Sequence, residues 1–403
     1  MSMPVSKDLL LINLAAFLRS LGVGLTGVVL GVYLFRVGLS SSGIGLVVGT
    51  GLAGAAVATL VVSMRADRLG RRQTLVVLSL LSALGGLGLA LSPSLPVLLA
   101  MAFVGMLNGM GTDRSASFAL EQAIIPGLVP DVRRTWSLAW YNIALDAGGS
   151  LGALCAALPL LLHRRLHLSL LSSYTSVFFG YATLSLVIAA LYPLLSSAVE
   201  VVAPTTKDSP ISAETRKVVS KLARLFSLDA FGGGLLTDAL VAYWFFRRFG
   251  VSEESLGILF FGVRLLNAVS HLGAAWLARR IGLVNTMVFT HLPSSLFLIA
   301  VPFAPSFKLA VLLFLCREAL VEMDVPTRQS YVAAVVQRTE RTFASGVTNL
   351  ARNVFWAIGA SAAGFCMQTV AFSAPLVIGG GAKISYDLLL YRAFRKLRPP
   401  EEG

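Results

Sequence analysis

The sequence predicts an all-α membrane protein of twelve transmembrane helices, arranged as two six-helix repeats in parallel orientation. Three observations predict it: a strongly apolar composition, twelve apolar stretches of membrane-crossing length, and a similarity between the two halves of the chain. Of 403 residues, 56% are apolar and 13% charged, and the mean hydropathy is +0.78. Soluble domains run nearer about 45–50% apolar and about 25% charged. Hydrocarbon is therefore the main solvent of this chain, and a helix needs about 20 apolar residues to cross it.

The stretches run over 8–37, 41–64, 74–92, 96–126, 133–160, 174–195, 219–249, 253–279, 284–304, 306–335, 341–371 and 372–391, spans 1 to 12 in chain order. Several are longer than an upright helix needs, which predicts tilt. They are continuous rather than alternating segments of about ten residues, so an outer-membrane barrel is excluded. The first stretch carries Arg19 at its centre and has no small-residue cleavage site, so it reads as a span and not as a signal peptide.

Basic residues orient the bundle. On one side the connections hold twenty: Lys7; Arg65, Arg68, Arg71 and Arg72; Arg133 and Arg134; Lys207, Arg216, Lys217, Lys221 and Arg224; Arg279 and Arg280; Arg338 and Arg341; Arg392, Arg395, Lys396 and Arg398. The other side holds six: Arg36, Arg164, Arg165, Arg247, Arg248 and Lys308. This asymmetry predicts a multi-pass protein of the plasma or inner membrane with both termini cytoplasmic. The net charge of +13 is then a topology signal, and no aromatic-basic motif accompanies it, so nucleic acid is not an expected partner. Cys155, Cys316 and Cys366 all lie within spans, so no disulfide framework is expected.

The only long polar stretch, 196–218, carries Pro204, Pro210 and mixed charge. It predicts a cytoplasmic linker between an N-terminal six-helix bundle, 1–195, and a C-terminal one, 219–403. A shift of 207 residues aligns Arg134, Thr135, Asn142, Ala144, Gly152 and Ala153 with Arg341, Thr342, Asn349, Ala351, Gly359 and Ala360. A shift of 212 aligns Gly22, Arg36, Gly38, Ser40 and Gly45 with Gly234, Arg248, Gly250, Ser252 and Gly257. Two repeats in the same orientation are the sequence form of a parallel-repeat transporter.

Between spans 2 and 3 the chain reads Ser63, Met64, Arg65, Ala66, Asp67, Arg68, Leu69, Gly70, Arg71, Arg72. This resembles the GxxxDRxGRR motif of the major facilitator superfamily, with Ser63 in place of the first glycine. Gly70 permits a tight turn, Asp67 offers an acceptor to a helix N-terminus, and the arginines hold the loop at the surface. The resemblance implies that Asp67, Arg68, Gly70, Arg71 and Arg72 form a cytoplasmic gating motif, a latch that favours one facing state. The matching loop of the second half, Arg279, Arg280, Ile281, Gly282, keeps the glycine and lacks the aspartate. Asn108 stands near the place of the family's arginine in span 4, and Ala153 stands where antiporters of the family often have proline.

Charges inside the spans carry the mechanism. Seven are basic, Arg19, Arg114, Arg264, Arg317, Arg328, Arg352 and Lys383, and nine acidic, Asp113, Glu121, Asp146, Asp229, Asp238, Glu318, Glu322, Asp324 and Asp387. At about 2.5–3.5 kcal/mol each they cannot face lipid and must face one another or water. Spans 1, 4, 7 and 10 hold eleven of the sixteen, and spans 2, 3, 6 and 9 hold none. In the superfamily that the chain resembles, spans 1, 4, 7 and 10 line the central cavity. Lys383 and Asp387, four residues apart near the end of span 12, are expected to snorkel as a pair.

Arg19, Asp113, Arg114, Asp229, Asp238, Arg317, Glu318 and Glu322 fall within about 8 Å of mid-membrane, the depth at which secondary transporters bind substrate and coupling ion. Asp113, Glu121, Glu318 and Glu322 are the proton-coupling candidates; Arg19, Arg114, Asp229, Asp238 and Arg317 are the substrate-cavity candidates. His271 and His291 with Cys316 give no ligand spacing, so no metal is expected. There is no GxxxxGK[ST] run, so ATP is not expected to power the protein through a phosphate loop of its own; no cofactor and no enzymatic activity are expected. The expected function is movement of a small-molecule substrate by alternating access, as proton-coupled efflux by a monomer in the lipid bilayer. The alternatives are an anion symporter or exchanger using Arg19, Arg114 and Arg317, and a membrane sensor that does not transport.

Overall fold

The computed structural model describes residues 7–113, 115–130, 134–200, 212–334, 336 and 340–394. Among these the regular structure is helical, and each of the twelve spans is present as one helix or as a helix pair. Spans 1 to 3 are single helices, α1 (Lys7–Arg36), α2 (Ser41–Leu69) and α3 (Arg71–Leu91). Span 4 is α4 (Leu95–Val104) followed by α5 (Ala116–Ile124). Span 5 is α6 (Arg134–Leu154), continued through a 3-10 turn into α7 (Leu158–Leu166), and span 6 is α8 (Leu170–Leu191).

In the second half, span 7 is α9 (Ala213–Gly234) and α10 (Asp238–Phe249). Spans 8 and 9 are α11 (Glu253–Ile281) and α12 (Leu283–Ala300). Span 10 is α13 (Phe307–Val321) and α14 (Asp324–Ala334), and spans 11 and 12 are α15 (Arg341–Thr369) and α16 (Ala374–Phe394).

Spans 4, 7 and 10, read from the sequence as continuous, are therefore each interrupted. The reason is local. A capping residue lies inside two of these apolar runs: the Ser115 hydroxyl accepts from Phe118 N at 3.2 Å, and the Thr237 hydroxyl accepts from Leu240 N at 3.4 Å. Each satisfies an amide that a fresh helix start leaves orphaned. Ahead of α5 the backbone turns through positive φ at Met106 and Gly111, a conformation open to glycine at little cost. Broken helices at membrane depth are tolerated where protein buries the freed backbone groups. Here Ala239 N of α10 donates to Gly109 O at 3.0 Å.

The chain divides into two compact units, residues 1–206 with 237–261, and residues 207–236 with 262–403. The break in span 7 is one of the points where the chain passes from one to the other. In the first unit α1 lies along α6, where a side chain on Gly24 would meet the Gly149 carbonyl at 2.2 Å. Small residues at this seam let the backbones approach closely, which drives helix association where water supplies no hydrophobic force. Tyr141 and Tyr192 are fully buried in the core of this unit. In the second unit α9 packs on α15 and α16, and α16 on α12, over a core that includes Phe226, Tyr331, Tyr386 and Leu390.

Candidate functional site

Each unit buries a cluster of opposed charges among its described residues. In the first unit its centre is Arg19, half-way along α1. The break in span 4 turns the chain so that Asp113 reaches the guanidinium, and Arg19 Nε donates to Asp113 Oδ2 at 2.6 Å. Glu121, within α5, takes both terminal nitrogens, Nη2 at 2.5 Å and Nη1 at 3.1 Å. Tyr141 of α6 donates to Glu121 at 2.8 Å, and Tyr192 donates to it at 2.7 Å while accepting from Arg19 at 2.9 Å. The other Asp113 oxygen accepts from Ser115 N at 3.0 Å, joining the charge cluster to the cap of α5. Glu121 is completely buried.

Close approach makes this geometry possible. A side chain on Gly27 of α1 would meet Gly111 Cα at 2.6 Å, so only glycine lets α1 press against the broken segment. Asp238, the first residue of α10, is half-buried against the same glycine. Beside Arg19 is a cavity of about 20 Å³ whose walls include Ser79, Ser82, Ser117 and Ser185, room for about one water molecule. Arg114 lies outside the described residues. Asp113 and Glu121, the two proton-coupling candidates of span 4, are brought together on one cation.

The second cluster inverts the charge pattern, with Asp229 of α9 at its centre. Its Oδ1 accepts from Lys383 Nζ of α16 at 2.8 Å, and its Oδ2 from Arg352 Nη1 of α15 at 2.7 Å. Arg328 of α14 stands 3.7 Å away and is held by Asp324 at 2.5 Å. Arg352 lies over the Trp356 ring at 4.8 Å, which adds a cation–π contact. His291 of α12 donates to Asp387 of α16 at 2.9 Å, and its other ring nitrogen faces Lys383 Nζ at 3.4 Å.

Two expectations are corrected here. Lys383 and Asp387 do not snorkel as a mutual pair. They are 5% and 0% exposed, because α16 packs on α9 and α12 and turns that face inward, Lys383 to Asp229 and Asp387 to His291. His291, read only as a poor metal ligand, is part of this network. The signal available was a stripe on α12, His291 with Ser294 and Ser295 one turn on, polar residues on one face of an apolar helix. Arg317 and Glu318, neighbours on α13, hydrogen-bond to each other and are buried. Glu322 is half-buried at the break of span 10. Along α9 and α15 runs a groove of about 620 Å³ bordered by Arg216, Ser220, Arg224, Ser227, Phe231 and Phe355.

The loop motif is ordered differently from the expectation. Asp67 accepts from Arg71 Nε at 2.8 Å across one turn, and Arg68 is exposed. The acceptor at the N-terminus of α3 is Glu200, which takes Arg71 N at 2.6 Å and Arg72 N at 3.2 Å. Gly70, at φ 90°, makes the turn between α2 and α3. Arg72 also donates to Leu195 O at 2.9 Å.

The sequence matches the family model described as Major Facilitator Superfamily over residues 12–316 and 225–403. An uncharacterized membrane protein of Saccharomyces cerevisiae, YJR124C, is 27% identical over 418 residues, 96% of this chain and 93% of that protein. Among solved structures, the nucleoside transporter NupG superposes with a TM-score of 0.74 at 14% identity, over 97% of this chain and all of that one. The xylose transporter XylE from E. coli, in an inward open conformation, gives 0.74 at 14% identity over 98% of each chain. The fold, the paired repeats and the whole-chain match make this protein a member of the major facilitator superfamily.

Proposed function

We propose that this protein is a secondary active transporter that moves a small solute by alternating access, coupled to protons and in the direction of efflux. The observation that carries the reading is the cluster of Arg19 with Asp113 and Glu121. Among the described residues it holds two carboxylates against one cation. One proton brings it to neutrality, so protonation and the grip of Arg19 are linked. Asp113 and Glu121 are the coupling acids in this reading. Glu318 and Glu322, beside the break of span 10, are the next candidates. Arg19 and Asp238 in the first unit, and Asp229 and Arg317 in the second, are the solute-contacting candidates in this reading, and the α9–α15 groove has a volume within the range of small-molecule sites. Asp67, Arg68, Gly70, Arg71 and Arg72 gate the cytoplasmic side.

Arg19 already carries carboxylates on three of its nitrogens. An anionic solute would have to displace them, which gives anion exchange less support. The test is a thermal-shift screen of the purified protein against solute classes at two pH values, since a ligand of the native state raises its apparent stability. A cationic or neutral solute that stabilises more at higher pH is the expected hit. Stabilisation by anions alone would favour exchange over proton-coupled efflux.

A further inference from the structure

The second unit holds a titratable pair that the first cluster does not use. Asp387 is completely buried, and among the described residues the only ionisable partner within ion-pair distance is His291, itself 1% exposed. A buried carboxylate facing an imidazole differs from one facing arginine. Its partner is charged only while holding a proton, so the charge of the pair is set by proton binding.

The contacts assign the tautomer. Nδ1 lies 2.9 Å from Asp387 and carries the proton donated there, which leaves Nε2 as the acceptor facing Lys383 Nζ at 3.4 Å. Lys383 meanwhile donates to Asp229 at 2.8 Å. A second proton on Nε2 would point at the ammonium of Lys383. The groups facing the pair are Asp229 on α9, Asp324 and Arg328 on α14, Arg352 on α15, and Lys383 and Tyr386 on α16; α13, packed on α12, contributes Arg317 and Glu318, bonded to each other. Glu322, at the break of span 10, also acts on Arg328.

A second observation lies on the same two helices. The hydroxyls of Ser294 and Ser295 on α12 and of Tyr386 on α16 are buried and have no hydrogen-bond partner among the described residues. Ser294 and Ser295 stand one turn from His291 on its face of α12, and Tyr386 is next to Asp387 with its ring 6.0 Å from the imidazole. Orphaned buried hydroxyls cost free energy and ask for a reason. Hydroxyls that donate or accept by rotation suit a path along which a proton moves.

We infer that His291 and Asp387 form a proton-binding site in the second unit, with Lys383 as its gate. While Lys383 bridges Asp229 and Nε2 the site is empty of its second proton. When Lys383 turns wholly to Asp229, Nε2 takes a proton from hydronium of the solvent, leaving water, and the pair becomes imidazolium and carboxylate. The inference deepens the proton-coupled reading above and rests on it for its role in transport, though the site is testable without a solute.

The experiment is a titration of ¹⁵N-histidine-labelled full-length protein in lipid nanodiscs, with His291 assigned as the resonance lost in His291→Asn. The probe is the proton itself. Lys383→Met is expected to raise the protonated-to-neutral ratio of His291 at a given pH by about tenfold, and Asp387→Asn to lower it by about tenfold. A His291 signal unchanged between about pH 5 and 8 in both wild type and Lys383→Met, or one indifferent to Asp387→Asn, overturns the inference. Should the variants fail to fold, the wild-type signal decides: no change in that range overturns the inference. Failure of the proton-coupled reading is read elsewhere, as solute flux indifferent to a pH gradient, and leaves this titration unaffected.

Discussion

Arg19 of α1 holds Glu121 of α5 through both ends of its guanidinium, at 2.5 and 3.1 Å, while its Nε keeps Asp113 at 2.6 Å. Breaking one side of a buried pair leaves the other charge uncompensated, at about 3–5 kcal/mol. Arg19→Met, which strands two carboxylates, is expected to lower the thermal unfolding midpoint more than Arg19→Lys, which keeps the charge and loses the fork. Equal midpoints for wild type and both variants would contradict the description of this cluster.

Within the first unit, Arg36 of α1, Tyr174 of α8 and Glu253 of α11 form a second knot. Arg36 donates to Glu253 at 2.7 Å and to Tyr174 at 3.0 Å, and Tyr174 donates to the same carboxylate oxygen. Charge-assisted bonds of this kind contribute about 1.5–3 kcal/mol. Glu253→Gln is expected to raise the local opening equilibrium of the first turn of α11 by about tenfold or more, measured as hydrogen exchange at Ser255 to Leu259. Unchanged exchange would mean the knot holds nothing.

At the motif loop the two carboxylates have different tasks. Asp67 and Arg71 form an exposed i, i+4 pair, worth about 0.3–0.5 kcal/mol. Glu200 satisfies two orphan amides of α3. Glu200→Ala is expected to cost about 1 kcal/mol of stability, and Asp67→Asn less than half of that. If Asp67 serves a latch, its variant instead slows transport and alters the accessibility of cavity cysteines. A stability loss larger for Asp67→Asn than for Glu200→Ala would reverse the assignment.

Much of the fold was legible because hydropathy reports burial in lipid directly, and α1, α2, α11 and α15 stand where their apolar runs lie. The breaks were not, since hydropathy averages over Gly105 to Ser115 and over Leu235 to Thr237. Capping residues inside the runs, Ser115 and Thr237, carried the missing signal. The charged positions of the first cluster were legible from the cost of burying them. Their pairings were not: Lys383 and Asp387 invite a helix-surface pair by spacing, whereas their partners stand 154 and 96 residues away. Glu200 was hidden inside a segment read as linker.

Outside the spans, Glu340 ties the start of α9. Its carboxyl is held below the usual carboxylate range by the Ser212 backbone N–H, 2.6 Å away, and by the Thr215 hydroxyl. A carboxylate lowered on folding contributes stability that is present above the ordinary glutamate pKa and is lost as pH falls through the lowered value. Exchange protection at Thr215 and Arg216 is therefore expected to hold at neutral pH and to fall in acid, and Glu340→Gln to remove that pH dependence. Protection that rises on acidification would contradict it.

The central claim, proton-coupled movement of a solute with Asp113 and Glu121 as coupling acids, is tested most directly by flux in proteoliposomes under an imposed pH gradient, using the solute that most stabilises the protein. Wild type is expected to accumulate the solute against its gradient in proportion to the proton gradient. Asp113→Asn and Glu121→Gln are each expected to lower the ratio of gradient-driven accumulation to solute counterflow by about tenfold, the effect of about 1.4 kcal/mol of coupling. Full gradient dependence in both variants would remove these acids from the coupling step, and wild-type flux indifferent to the gradient would contradict proton coupling itself.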